Sequence, residues 1–270
     1  MIRLNDKLNL EGYGLLLLNN KLTITKTIKN EYILIDDSIE LNVMDNVDVN
    51  ILDVSSNKEI TVNIAKNTNV NYQIINSNSS NRKFVNNGNL EITEICLNGT
   101  TSKLNIDLVT EEANSNVNVL AITNDQKQEF IQYVSHNSPR TYSNISNFGV
   151  ALNKSTITFD TSGKILKGMA KSKCVQLSKG IIMDDAAKIT SKPILLIDEF
   201  DVVANHGASI GKMSDDSLFY LMSRGLTKKE AFLLVLNGII NPFITKIFDE
   251  ELKQQIINEL ALLIKEWFKC

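Results

Sequence analysis

The chain has 270 residues, 43% of them hydrophobic, with 28 Lys and Arg against 31 Asp and Glu. At about 150 residues per domain, this length makes one large domain or two modest ones. The net charge of −3 excludes a generically basic nucleic-acid binder, and three cysteines (Cys96, Cys174, Cys270) without a CxxC pair exclude a disulfide scaffold or a zinc knuckle. Two histidines, His136 and His206, are too few for a multi-His metal site within one chain.

The N-terminal run Leu15–Leu18 is closed by Asn19-Asn20 and lacks a cleavage-like site, so it does not read as a signal peptide. No stretch approaches the ~20 apolar residues of a membrane span. The expected location is therefore the cytoplasm, with reduced thiols. Each cysteine is expected to be an inert small hydrophobe, with Cys270 at the end of the chain the most exposed.

Strand-like sequence begins by about Leu22 and continues in short period-two stretches: 22–25, 47–52, 60–64, 104–108 and 117–122. Each sets Leu or β-branched side chains on one face. Between them lie clusters such as Asn76-Ser77-Asn78-Ser79-Ser80-Asn81 and Asn86-Asn87-Gly88-Asn89, which favour turns because Asn accepts a left-handed backbone. A coding bias towards Asn, Lys and Ile is the competing explanation for the Asn content. No helical period interrupts the first two hundred or so residues, so the pattern predicts a sandwich, a barrel or a β-solenoid. The pairs Asp36-Asp37 and Asp184-Asp185 read as turn residues rather than paired catalytic acids. Ser135-His136-Asn137 has no GxSxG nucleophile elbow to serve.

Two segments imitate a nucleotide hydrolase. Ile194–Glu199 looks like a strand ending in a magnesium-binding Asp, and Gly207–Met213 looks like a phosphate loop. The loop has three residues between its glycines instead of four, Met213 where Ser or Thr must hold magnesium, and the wrong order relative to the acidic motif. ATPase activity is not expected. His206 sits among small and apolar residues, Val202 to Gly211, which permit close approach of another backbone. A neutral imidazole there could ligate a metal shared across an interface.

Composition changes near residue 213. Ser214, with Asp215 and Asp216 behind it, predicts a helix start, and Gly225 its end. Thr227-Lys228-Lys229-Glu230 predicts a capping box for a second helix with Ala231, Leu234, Val235 and Gly238 on one side, ending before Asn241-Pro242. A third helix is predicted from about Asp249 to Phe268, with Leu252, Ile256, Leu260, Leu263 and Trp267 as a stripe widened by Ile257, Ile264 and Phe268. This stripe either packs onto the β part or docks a partner. The expected division is a β core, 1–213, and a helical domain, 214–270.

Residues from about Phe130 to Ile247 resemble the SufB/SufD family of the SUF iron–sulfur cluster assembly system. The resemblance rests on Asp201-Val202-Val203-Ala204-Asn205-His206-Gly207-Ala208-Ser209-Ile210-Gly211, on Asp215 to Leu226 with Leu218-Phe219-Tyr220 and Ser223-Arg224-Gly225, and on Glu230, Ala231 and Asn237-Gly238. Upstream, Ile181-Ile182-Met183, Thr190-Ser191-Lys192-Pro193 and the strand–turn Val134 to Thr141 also fit. The resemblance implies a right-handed parallel β-helix followed by a small helical domain. It further implies dimerisation through the β-helix ends, with a SufB-type subunit or a second copy. A SufC-type ABC ATPase would dock on the C-terminal helices, through Leu218, Phe219, Tyr220, Ser223 and Arg224, the region to Asn237 and the last helix. The implied cargo is a transient iron–sulfur cluster, fed indirectly by a cysteine desulfurase, and the chain itself would be a non-catalytic scaffold that binds no nucleotide.

Within the family pattern His206 matches the SufD interface histidine, and its flanks Asn205 and Gly207, where SufB-like chains generally carry Glu, make the chain SufD-like. The SufB cysteine would fall near Leu177-Ser178, where there is none; Cys174, a few residues away, is a weak candidate ligand. Ala204 stands where many SufD chains carry a cysteine, and the N-terminal helical domain of larger members looks absent. The alternative reading is a β-solenoid carbohydrate-active enzyme or structural protein.

Overall fold

A computed structural model describes residues 1–4, 10–28, 30–76, 78–213 and 215–267. Ser77, Ser214, Phe268 and Cys270, which figured in the sequence reading, lie outside the described residues. Among the described residues, nine strands build one sheet in the order β1 (Ile2–Arg3), β4 (Ile33–Ile35), β6 (Asp48–Asp53), β8 (Asn69–Ile75), β10 (Asn89–Cys96), β12 (Asn114–Asn124), β14 (Tyr142–Leu152), β16 (Lys173–Ile182) and β18 (Val203–Gly211). The other sheet runs β2 (Leu15–Leu18), β3 (Lys21–Ile24), β5 (Ile39–Val43), β7 (Lys58–Ile64), β9 (Ser79–Asn86), β11 (Thr100–Leu108), β13 (Lys127–His136), β15 (Thr156–Ile165) and β17 (Lys188–Ile197). From β3 onward successive strands alternate between the sheets, and neighbours within a sheet are parallel and in register. The described residues contain one antiparallel pair, β2 with β3. This is a two-sheeted parallel β-helix, which settles the choice among sandwich, barrel and solenoid. Strands also begin earlier than Leu22, because the Leu15–Leu18 run caps the first turn of the shaft.

The alternation explains the shaft. One face of each strand points inward, and in a parallel in-register ladder the residues of one column all point the same way. Leu22, Leu41, Val62 and Phe84 form such an inward set, each fully buried. The corners explain much of the asparagine. Eight of the twelve described non-Gly residues with positive φ are Asn, among them Asn46, Asn57, Asn67 and Asn153 at +49° to +62°, a region where its short polar side chain is tolerated. Asn also forms a ladder along the outside: Asn114 donates to Asn89, Asn89 to Asn69 (2.8 Å), and Asn69 to Asp48 (2.6 Å). Coding bias is therefore not needed to account for these positions.

The helices α1 (Asp215–Ser223), α2 (Lys228–Ile244) and α3 (Glu250–Trp267) follow. Gly225 (φ +98°) ends α1, and the Thr227/Glu230 capping box starts α2 as expected. Two details differ from the sequence reading. α2 does not stop before Pro242 but passes through it. The proline forfeits one backbone bond near the helix end, while Ile240 and Ile244 on either side stay buried, each contributing about 2 kcal/mol from removal of apolar surface. The buried face of α2 is Ala231, Phe232, Leu236 and Ile240, whereas Leu234 is exposed. The α3 stripe packs on the outer face of the first sheet: Ile256, Leu260 and Ile264 share one cluster with Ile75, Ile95, Leu120, Ile122 and Val150. Ile257 lies off that stripe and is exposed.

Candidate functional site

The shaft ends in β17 and β18, each the last strand of its sheet with nothing paired on its outer edge among the described residues. His206 lies on β18 opposite Gln176 of β16, and Ala204 lies opposite Cys174. Cys174, Gln176 and Ser178 are buried inward-facing residues, so register directs Ala204, His206 and Ala208 to the same inner side. Among the described residues no further rung covers them, and His206 is exposed. The imidazole thus tops an inward column running Val117, Ile145, Gln176, His206. On the outward faces of these last two strands Ile194, Leu196 and Val203 are exposed, as is Phe200 on the turn between them.

The interior changes character towards this end. In the first rungs it is aliphatic, with Leu22, Ile24, Leu41 and Val43; in the last rungs uncharged polar side chains hydrogen-bond to one another. Gln132 and Asn147 exchange bonds at 3.0 and 2.9 Å, and Thr161 donates to Gln132 at 2.8 Å. His136 is fully buried, its ring nitrogens 2.7 Å from Thr141 Oγ1 and 2.8 Å from Ser143 Oγ. Burial pushes its pKa down to about 4, so it is neutral. The Val134–Thr141 motif is thus a turn clasped from inside by its own histidine. Cys174 is buried, and burial raises its thiol pKa. It sits against Gly163, where any Cβ would collide with its Sγ. Cys96 is also buried, with its pKa pushed up to about 12 by burial. No group of three or more His, Cys, Asp or Glu is arranged to hold a metal among the described residues.

The hydrolase-like motifs find structural roles. Gly207–Gly211 is extended strand, which offers no concave array of amides for a phosphate. Glu199 accepts from the backbone N–H groups of Gly168 (2.8 Å), Phe200 (2.9 Å) and Asp201 (3.4 Å) and fixes the turn between β17 and β18. The acidic pairs are likewise engaged: Asp37 with Lys58 at 2.6 Å, Asp185 with Lys212 at 2.7 Å, and Asp184 with Trp267 Nε1 at 2.7 Å.

On α1, Leu218 is buried against the chain's own helices and is not available on the surface. Phe219 and Tyr220 are 74% and 57% exposed. Arg224 stacks over the Tyr220 ring, 5.2 Å from its centroid, and Ser223 Oγ donates to the Tyr220 carbonyl. This apolar, cation-edged face has no cover among the described residues.

Sequence reading missed one buried cluster. Inside the shaft, Arg82 Nε donates to Asp53 Oδ2 at 2.6 Å, and Tyr72 donates to the same oxygen at 2.7 Å. The Ser55 backbone N–H and hydroxyl donate to Oδ1 at 2.9 and 2.6 Å. Glu94 is also buried there, and desolvation raises its pKa. The only sequence signal was the parity of Arg82, which falls at an inward position of the Ser79–Asn86 alternation.

Comparison with known proteins bears on this architecture. The sequence model of the "SUF system FeS cluster assembly, SufBD core domain" matches residues 19–239. The iron–sulfur cluster assembly protein SufD of Bacillus subtilis is 33% identical over 141 residues, covering 52% of this chain and 32% of that protein. SufD of Escherichia coli is 31% identical over 84 residues, covering 31% of this chain and 20% of that protein. SufD of Plasmodium falciparum is 25% identical over 177 residues, covering 64% of this chain and 12% of that protein. The matched stretch thus spans a third or less of each of these relatives.

Proposed function

Since this chain belongs to the SufB/SufD family of the SUF iron–sulfur cluster assembly system, we propose that it is a SufD-like assembly subunit, non-catalytic by itself. It pairs end to end with another β-helix through β17 and β18, and a SufC-type ABC ATPase docks on its C-terminal helices. The observation that carries this reading is the open shaft end: two strand edges unpaired among the described residues, exposed apolar side chains on those strands and their turn, and His206 on the inner column. Unpaired edges favour pairing with another strand, and a neutral imidazole is a ligand for iron. His206 supplies one ligand; a transient cluster, the cargo, draws its other ligands from across the interface. Cys174 would join it only after reorganisation of the last rung. The exposed face of Phe219, Tyr220 and Arg224 is the natural seat for the ATPase, with aromatic and Arg anchors.

The test is reconstitution with a SufC-type ATPase, a SufB-type subunit, and an iron and sulfide source. His206→Ala should lower cluster yield while leaving thermal unfolding unchanged, because the side chain is exposed. Unchanged yield would remove His206 from the site. Deleting residues 214–270 would uncover Ile95, Leu120 and Ile122, so docking is better tested by Phe219→Ala/Tyr220→Ala; ATPase co-purification that survives this pair rejects the α1 face.

A further inference from the structure

The outward face of the first sheet changes character under α2. Two outward columns carry the packing of the helices onto the shaft. One runs Ile75, Ile95, Leu120, Phe148, Lys179, Ser209, and the other Ile122, Val150, Ile181, Gly211. As far as Phe148 and Val150 every member is buried among the helix-packed residues. On β18 the same columns end in a serine and a glycine, too small to fill the space that their predecessors fill. A Cβ added at Gly211 would meet nothing within 4 Å. The result is a cleft of about 330 Å³ between the sheet and α2, at the lower end of the ~300–1,000 Å³ range of small-molecule sites.

The cleft is amphipathic. Phe148 and Ile181 wall it from the sheet, and Val235 and Ile239 from α2. The charged residues that line it, among those described, are Lys179 and Lys212, both exposed, and no carboxylate does. Lys212 meets Asp185 at 2.7 Å, but both side chains of that pair are exposed, so the contact is weak and the ammonium can exchange partners. An apolar body in the cleft is removed from water, and an anion at its rim gains charge-assisted hydrogen bonds from the two ammonium groups. A cationic ligand would meet like charge. We propose that this cleft binds a small amphipathic anion, an acyl or aromatic body bearing one carboxylate or phosphate, with the body under α2 and the anion held by Lys179 and Lys212. The occupant touches both β18 and α2 and so ties the end of the shaft to the helices. It lies on the face of the sheet rather than on the edge of β18, and the assignment is independent of the assembly role.

Octanoate, kept well below its micelle-forming concentration, is the probe, with 1-octanol as its uncharged counterpart. Isothermal titration calorimetry on the full chain should show octanoate filling one site, about tenfold more tightly than octanol, since a hydrogen bond to a charged group is worth that factor or more. Lys179→Gln should weaken octanoate about tenfold and change octanol little. Gly211→Val should abolish binding of both. Valine suits a strand and has room at this position, so thermal unfolding should be unchanged; Ser209→Leu, at an exposed position of the neighbouring column, is the second blocking variant. Equal affinity for octanoate and octanol overturns the anionic class. The cleft itself is overturned by the absence of octanoate binding at millimolar concentration, or by binding that Gly211→Val and Ser209→Leu leave intact. Phosphatidylglycerol vesicles separate a free ligand from a lipid surface. They should not co-sediment the chain, and co-sedimentation that Lys179→Gln removes would assign the lysines to a membrane and overturn the soluble ligand.

Discussion

Trp267 Nε1 donates to Asp184 Oδ2 at 2.7 Å, fastening the end of α3 to the turn between β16 and β17. The same carboxylate oxygen accepts the Asn153 N–H at 2.7 Å, so one side chain joins two corners of the shaft to the last helix. The indole is also packed against Phe232, with ring centroids 5.2 Å apart.

Trp267→Phe should keep that aromatic packing and lose the indole donor. A hydrogen bond to a charged acceptor is worth about 1.5–3 kcal/mol, and partial exposure of this one sets the expectation at the lower end, about 1–2 kcal/mol. Urea unfolding would measure it. Asp184→Asn, which keeps an acceptor, should lose less; an equal or greater loss would show that the corner depends on the charge itself.

His136 makes the fold acid-sensitive. Its pKa falls from an ordinary 6.5 to about 4 on folding. Between those values the unfolded chain binds the proton more readily than the folded one, so stability rises with pH. This contribution is fully present above about pH 6.5 and is lost as pH falls towards 4, by up to about 3 kcal/mol. Buried Glu94, whose pKa desolvation raises, contributes in the opposite sense, so substitution is needed to isolate the histidine's share of the slope. His136→Gln should flatten that slope in denaturant titrations at fixed pH, at some cost in stability at pH 7.5. An unaltered slope would show that the ring is not excluded from water.

The Asp53–Arg82 pair should respond asymmetrically. Both side chains are completely buried. Removing one partner strands the other, which typically costs 3–5 kcal/mol, whereas exchanging both for apolar residues can be close to neutral. Arg82→Leu and Asp53→Leu should each destabilise by about that amount, and the double variant by much less than their sum. Tyr72 and Ser55 also bond to Asp53, so the recovery will be incomplete. Chemical denaturation of the four proteins closes the cycle.

These residues show which parts of the molecule can be read from sequence. The strands of the shaft were legible because each rung repeats a period-two pattern, and the helices because capping signals such as Thr227 and Glu230 act locally. The choice of solenoid over sandwich was not, because strand pattern is the same whether neighbours are parallel or antiparallel. Pro242 misled because its penalty is local while the burial of Ile240 and Ile244 that opposes it is tertiary. His206 drew attention through its small neighbours, but its place on the inner column depends on register with Gln176, thirty residues earlier. Arg82 and Asp53 lie in different sheets, and nothing in their local sequence announces the partner.

Gly163 and Cys174 supply the last prediction. A Cβ at position 163 would collide with the Cys174 Sγ, and would also lie 3.0 Å from Gln176 Nε2 and 3.3 Å from Leu195 Cδ2. The neighbours are packed inside the shaft one rung from its open end, so none can retreat freely. Overpacking of this kind costs about 1–3 kcal/mol, and Gly163→Ala should lower stability accordingly. Cys174→Ala removes the sulfur that makes the closest contact and should restore most of the loss in the double variant, although alone it leaves a small cavity. The same pair tests the thiol's role. If Cys174 contributes only packing, Gly163→Ala/Cys174→Ala should assemble clusters as well as the unmodified chain. A stable double variant with depressed cluster yield would instead place the thiol in the chemistry at the shaft's end.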